Sequence, residues 1–259
     1  MLLPHDESGT GPTVVLLHAR PTDRRMWREH LPLLAAAGHR AIALDLPGYG
    51  EAVLPEGHDT TPADDVLATL DALDVDRFTL VGNSLGALVG LQTAVAAPAP
   101  VDGLLSIGYR RHDQPPSVEL NRAWQRERDA LDADDLDAAV QAGVDAWLSS
   151  KAAPEIRAHV AEMLRGNLLS RKTRGEPPRA PDPTPAELAH LTGRVTVAVG
   201  EHDIPDFHTG GQALVDATGA GQLAVIPRAA HLAPLDQPLW TCGLIQGLTR
   251  DGATVPVAR

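Results

Sequence analysis

Apolar and polar positions along the chain fall into two alternating patterns. Short runs rich in Val, Leu, Ile and Ala, bounded by Gly, Pro or Asp, read as strands: Thr13–His18, Arg40–Asp45, Arg77–Gly82, Val101–Gly108, Arg194–Gly200 and Gln222–Pro227. Most lack a polar residue at every second position, which is the pattern of strands covered on both faces. Between them, helical spacing predicts helices over Met26–Ala37 (Trp27, Leu31, Leu34), Pro62–Leu73 (Val66, Leu70, Leu73, with Thr61 as N-cap), Leu85–Ala97 and Leu235–Leu248. Strand and helix in alternation imply parallel crossovers and a three-layer α/β sheet.

One stretch breaks the alternation. From about Arg110 to Pro185 no strand-like run occurs, and Val118–Leu131, Asp135–Ser149 and Glu155–Leu169 read as three amphipathic helices. In the second, Leu136, Val140, Val144 and Leu148 recur every four residues as one apolar stripe. Arg171–Pro185, rich in Pro and basic residues, reads as a linker back to the sheet. The expected organisation is a core over residues 1–109, a helical lid over 110–185 and the rest of the core over 186–259.

Composition narrows the function. Of 259 residues, 43% are hydrophobic and 22% charged, so a packed globular core is expected. Lys and Arg number 22 against 34 Asp and Glu, a net charge of −12 that opposes binding to nucleic acid or an anionic membrane surface. A single cysteine, Cys242, excludes a disulfide framework and a Cys-rich zinc site. The Met1 end shows no secretory pattern, and no window of about 20 apolar residues is available to span a bilayer. The expectation is a soluble, cytoplasmic monomer or homodimer acting on a small molecule. No Rossmann glycine fingerprint or P-loop implies a nucleotide cofactor, and His202 lacks a second ligand at metal-like spacing, so neither cofactor nor metal is expected.

The chemistry starts at Gly82-Asn83-Ser84-Leu85-Gly86, a G-x-S-x-G between a predicted strand and a predicted helix. A serine raised above a sheet needs a very tight turn, and glycines two before and two after it remove Cβ atoms that would strike the neighbouring strand and helix. The Leu85 N–H then opens the helix and is placed to stabilise an oxyanion. A serine nucleophile needs a base and the base needs a carboxylate. Asp203 follows the predicted strand ending at Gly200, and His231 follows the next one. The order Ser84, Asp203, His231 is that of a nucleophile-elbow hydrolase, and all three fall at one end of a parallel sheet. Asp206, read as the N-cap of the next helix, and Glu201 are rivals to Asp203 for the carboxylate.

Taken together, VVLLHARPTDRRMW, ALDLPGYG, LVGNSLGA, VAVGEHDIPD and AAHLAPLDQP resemble the α/β-hydrolase superfamily, in family order from about Val14 to Pro238. HARPTDRRMW is similar to the same region of enol-lactonases and small esterases. The resemblance implies Ser84 as nucleophile, His231 as general base and acid, and Asp203 as the carboxylate that orients it. It also implies a second oxyanion N–H from Arg20, in a loop where the usual Gly after His18 is Ala19, a change that a negative φ would tolerate. His18 and Asp45-Leu46-Pro47-Gly48-Tyr49-Gly50 are then structural supports of that loop. Ala19, Tyr109, Trp124, Trp147 and Leu232 are candidate substrate contacts, with ordinary packing as the competing reading. The first eleven residues are short for the hairpin that usually opens this fold, so the sheet is expected to lack one or two strands. A serine nucleophile points away from dehalogenation and epoxide opening, for which such relatives use Asp. It points toward hydrolysis of a carboxylic ester or lactone, with carbon–carbon bond hydrolysis, cyclisation or noncatalytic ligand binding as alternatives.

Overall fold

A computed structural model of the chain describes residues 1–191 and 194–249, leaving aside the side chains of 171–174. Residues 250–259, the end of the expected second core segment, lie outside the described residues. The core is a seven-stranded sheet in the order β1-β3-β2-β4-β5-β6-β7. Its strands are β1 (His5–Ser8), β2 (Thr13–Leu17), β3 (Arg40–Leu44), β4 (Phe78–Asn83), β5 (Val101–Ile107), β6 (Val195–Gly200) and β7 (Ala224–Ile226). All neighbours run parallel except β1, which pairs antiparallel with β3. The chain before Thr13 therefore does supply one edge strand, in place of an opening hairpin.

The continuous apolar runs have the reason read from the sequence. Val14 and Leu16 of β2 point into one buried cluster and Val15 and Leu17 into another, so each face of the sheet carries its own core. The helices in chain order are α1 (His30–Ala36), α2 (Pro62–Ala72), α3 (Leu85–Ala96), α4 (Val118–Asp132), α5 (Leu136–Trp147), α6 (Pro154–Arg174), α7 (Pro185–Ala189), α8 (Pro205–Thr218), α9 (Ala233–Asp236) and α10 (Pro238–Thr249). Thr61 caps α2 in a capping box with Asp64, as its position predicts. α3, made almost wholly of Ala, Leu, Val and Gly, is buried from Gly86 to Ala94 because it is covered on all sides.

Prolines redraw two of the expected helices. Met26–Ala37 is not continuous: Arg24–Trp27 forms a 3₁₀ turn capped by Asp23, and α1 starts afresh at His30. The ring of Pro32 would strike the carbonyl four residues earlier, that of Arg28, so one helix cannot run through both. Pro238 likewise divides Leu235–Leu248 into α9 and α10, and opens the second as its first helical residue. The expected linker over Arg171–Pro185 is shorter than read, because α6 continues to Arg174 and Pro185 already begins α7.

The helices α4, α5 and α6 follow β5 as an insertion. The stripe on α5 packs as predicted, with Val140, Val144 and Leu148 buried in the same cluster as Val14, Leu16 and Ile107 of the sheet. Val160 and Met163 of α6 join them. Among the described residues no helix is long and apolar enough to cross a membrane.

Candidate active site

Sheet register assembles the site. Leu17 of β2 pairs with Gly82 of β4, so Ala19 and Ser84 both stand two residues beyond paired positions on adjacent strands. Asn83 pairs with Ile107 of β5, and the Ser84 N–H donates to the Ile107 carbonyl at 2.8 Å. Ile107 pairs with Ala198 of β6, and Gly200 pairs with Ile226 of β7. Asp203 and His231 follow those last two strands, so the three predicted side chains leave the same end of the sheet.

The elbow itself is strained. Ser84 has φ 56° and ψ −110°, a left-handed conformation that favours glycine. The flanking glycines have the steric role expected of them. A Cβ on Gly86 would stand 2.2 Å from the Leu17 carbonyl oxygen, and one on Gly82 would stand 2.2 Å from the Gly86 carbonyl oxygen. Only bare backbone lets the first turn of α3 press against the end of β2.

His231 is held from several sides. Its Nδ1 lies 3.0 Å from Asp203 Oδ2. A carboxylate only accepts, so Nδ1 carries the proton and Nε2 keeps its lone pair. The other Asp203 oxygen accepts the Ile204 N–H at 2.8 Å. The imidazole packs against Phe207 (ring centroids 3.9 Å apart, planes at 37°) and Trp147 (5.1 Å, 51°), and is 2% exposed. Asn83 Nδ2 donates to the carbonyls of Ile107 (3.2 Å) and His231 (3.1 Å), tying the residue before Ser84 to the histidine. Elbow and imidazole are close neighbours: a Cβ on Gly108 would lie 3.2 Å from His231 Nδ1 and 3.3 Å from Asn83 Nδ2.

The loop after β2 is braced from below. The Leu46 N–H donates to His18 Nε2 at 2.9 Å, which leaves the proton on Nδ1, 2.8 Å from the Ala19 carbonyl. His18 is thus a structural histidine, and burial pushes its pKa below the usual histidine value. Asp45 is fully buried and accepts from the Arg24 guanidinium and from the backbone N–H groups of Arg24 and Glu51. Ala19 keeps a negative φ, so its replacement of Gly does not strain the loop. The N–H groups of Arg20 and Leu85 have no acceptor among the described residues. On the insertion, Asn167 donates to the Thr22 carbonyl and accepts the Gly50 N–H, bonding α6 to the same loops.

The structure separates the rivals and the substrate candidates. Asp203, not Asp206, meets His231. Asp206 is not an N-cap either: Ile204 holds that place, and Asp206 turns inward to accept the Ser117 N–H at 2.8 Å. Glu201 accepts from the Arg228 N–H at 2.7 Å instead. Ala19, Trp147 and Leu232 lie in one buried cluster with Phe207, and Trp124 packs against it. Tyr109 lies apart in the other cluster, although strand alternation would place it with Leu105 and Ile107, because β5 ends at Ile107 and Gly108, with φ 61°, turns the chain over. Phe207, Asn83 and Asp236 were missed by the sequence reading. The position just before the serine in the G-x-S-x-G was the signal for Asn83. Among the described residues no group of three or more His, Cys, Asp or Glu is arranged to hold a metal ion.

A family model described as alpha/beta hydrolase fold matches residues 12–190. The chain belongs to the α/β-hydrolase fold family. An epoxide hydrolase of Caballeronia sordidicola is 32% identical over 164 residues, 58% of this chain and 50% of that protein. The chain spans between about a quarter and a half of the length of the curated relatives it matches. A thermophilic esterase from Thermogutta terrifontis superposes with a TM-score of 0.74 at 24% identity, covering 97% of this chain and 94% of that one. The enol-lactonase from Burkholderia xenovorans LB400 gives 0.74 at 19% identity, covering 96% of each. At such identities the likeness is one of fold.

Proposed function

We propose that this α/β-hydrolase family member is a cofactor-free serine hydrolase that cleaves small carboxylic esters or lactones through an acyl-enzyme on Ser84. The observation that carries the reading is the Asp203–His231 hydrogen bond, at the same end of a parallel sheet as a strained serine. Asp203 fixes the tautomer in which Nε2 is the base. His231 takes the Ser84 proton as Oγ attacks the carbonyl. The unpartnered amides of Arg20 and Leu85 receive the oxyanion, each worth about 10²–10³ in rate where such donors have been removed. His231 then protonates the leaving oxygen, and water clears the acyl group by the same steps in reverse. The helices α4 to α6 act as the lid over this end of the sheet, with Trp124, Trp147 and Leu232 as apolar surfaces for the substrate.

A curated relative is named an epoxide hydrolase, yet the residue at the elbow favours acyl chemistry here. Serine opening an epoxide would form an ether, which offers water no carbonyl to attack, so the enzyme would not turn over. An acyl-serine has that carbonyl. Labelling with a fluorophosphonate, followed by peptide mapping, tests the proposal. The label is expected on Ser84, with aryl ester turnover abolished in a folded Ser84→Ala variant. An unlabelled Ser84 in the folded protein, or a Ser84→Ala variant that keeps most of its activity, would overturn it.

A further inference from the structure

Asp236 ends α9, five residues after His231. Its part-buried carboxylate accepts backbone N–H groups from two separate parts of the molecule. One comes from Ala230, the residue before His231, at 2.9 Å, and the other from Ser149, just past the end of α5, at 3.1 Å. A further bond joins the same two segments directly: the Leu232 N–H donates to the Trp147 carbonyl at 2.9 Å. With the Trp147 ring against the His231 ring, the loop carrying the histidine meets the end of α5 at three successive residues. Beside this seam the insertion and the core stand apart. A cleft of about 500 Å³ is lined by Leu148, Ser149 and Ser150 on one side and by His202, Ile204 and Ala230 on the other. The polar seam runs along the edge of this cleft, beside the apolar packing of Trp147 and Leu148 on Ile204, Phe207 and Leu232.

The geometry points to Asp236 as a positioning residue that seats the His231 loop against the end of α5, so that the imidazole is aligned only when the inserted helices are in place. This rests on the serine-hydrolase reading above, because it assigns a task in that reaction. Two N–H groups converge on this carboxylate: Oδ2 serves both donors, and Oδ1 also lies 3.3 Å from the Ser149 nitrogen. Removing the carboxylate leaves two N–H groups unpaired and frees the histidine loop from its neighbour. Misplacement of a reacting group by about 1 Å costs on the order of 10²-fold in rate.

Asp236→Ala is expected to lower kcat for an aryl ester by roughly 10–100-fold with little change in KM, and to slow fluorophosphonate labelling of Ser84 by a similar factor. Asp236→Asn, whose amide oxygen can accept both N–H groups, is expected to restore most of that loss. The downfield proton NMR signal of His231 Nδ1–H should broaden in the Ala variant and return in the Asn variant. A merely structural role would lower the melting temperature and leave kcat and that proton where they were. A folded Asp236→Ala variant with wild-type kcat overturns the inference, as does an Asn variant as impaired as Ala. If Asp236→Ala does not fold, Ser149→Pro keeps Asp236 and removes the donor on the α5 side, together with the Ser149 hydroxyl that accepts the Lys151 N–H, for which Ser149→Ala is the control. Leu148 before it already has φ −102° and ψ 153°, the extended backbone that a following proline requires. A smaller fall in kcat is expected there, and none would overturn the inference. If the wild-type protein neither labels at Ser84 nor cleaves esters, the reading of the function fails. The NMR comparison still decides whether Asp236 places His231.

Discussion

Replacing Ser84 by glycine removes the proposed nucleophile and, on the geometry of the elbow, should make the protein more stable. The φ of 56° and ψ of −110° at Ser84 lie where a Cβ crowds the backbone, and near the values a type II′ turn reserves for glycine. Holding a non-glycine residue there costs about 1–3 kcal/mol. Glycine relieves the strain but makes the unfolded chain freer, which returns about 0.5–1 kcal/mol. Ser84→Ala is the matched reference, since it lacks the hydroxyl yet keeps the Cβ and therefore the strain. The glycine variant should be more stable than the alanine variant by about 1 kcal/mol, or roughly 2–4 °C in melting temperature for a chain of this size. Scanning calorimetry on the two variants measures the difference, and an ester assay checks that both are inactive. A glycine variant that melts at or below the alanine variant would refute the claim that the fold stores strain at this residue.

Gly86→Ala should destabilise the protein by about 1–3 kcal/mol or more, since its Cβ would stand 2.2 Å from the Leu17 carbonyl oxygen and one backbone must move; denaturant titration measures this. Asn83→Asp replaces the group that donates to Ile107 and His231 with one that only accepts, so stability should fall by about 1–3 kcal/mol and kcat with it; unchanged values for both would count against the strut. Acid should also unfold the protein through His30, which is fully buried with neither ring nitrogen bonded and whose pKa burial lowers to about 4. The unfolded chain binds this proton below pH ~6.5, while the folded one resists it until about pH 4. The stabilisation is therefore complete above ~6.5 and is lost as pH falls toward 4, a change on the order of 3 kcal/mol. His30→Leu should flatten the decline in urea midpoint between pH 7 and pH 4.5, leaving the part due to His18; equal slopes in the two proteins would show that His30 is not responsible.

Much of this architecture could be read from the chain because the signals are local. Runs without polar alternation marked six of the seven strands, and the edge strand His5–Ser8 escaped because its polar residues carry no such pattern. The glycine spacing around Ser84 announced the elbow, since the clash it avoids is set by the turn itself. Asp203 and His231 were visible as polar residues just past the ends of apolar strands. The breaks at Pro32 and Pro238 were equally local, and reading helical spacing ahead of proline sterics concealed them.

Contacts between distant segments were a different matter. Asp203 and Asp206 are three residues apart and chemically alike. The path of the chain into α8 gives one of them to His231 and turns the other toward Ser117. Phe207 stacks on the imidazole only because α8 starts where it does. Asn83 and Asp236 do their work through backbone groups 148 and 87 residues away, and backbone groups leave no mark in a sequence. The sequence by itself determined the six parallel strands, the strained serine turn and the identities of the candidate catalytic side chains, because short-range sterics and apolar periodicity govern these. Only the tertiary structure decided where the rival carboxylate Asp206 goes and what holds the histidine in place, because hydrogen bonds to remote main-chain atoms depend on where the folded chain passes.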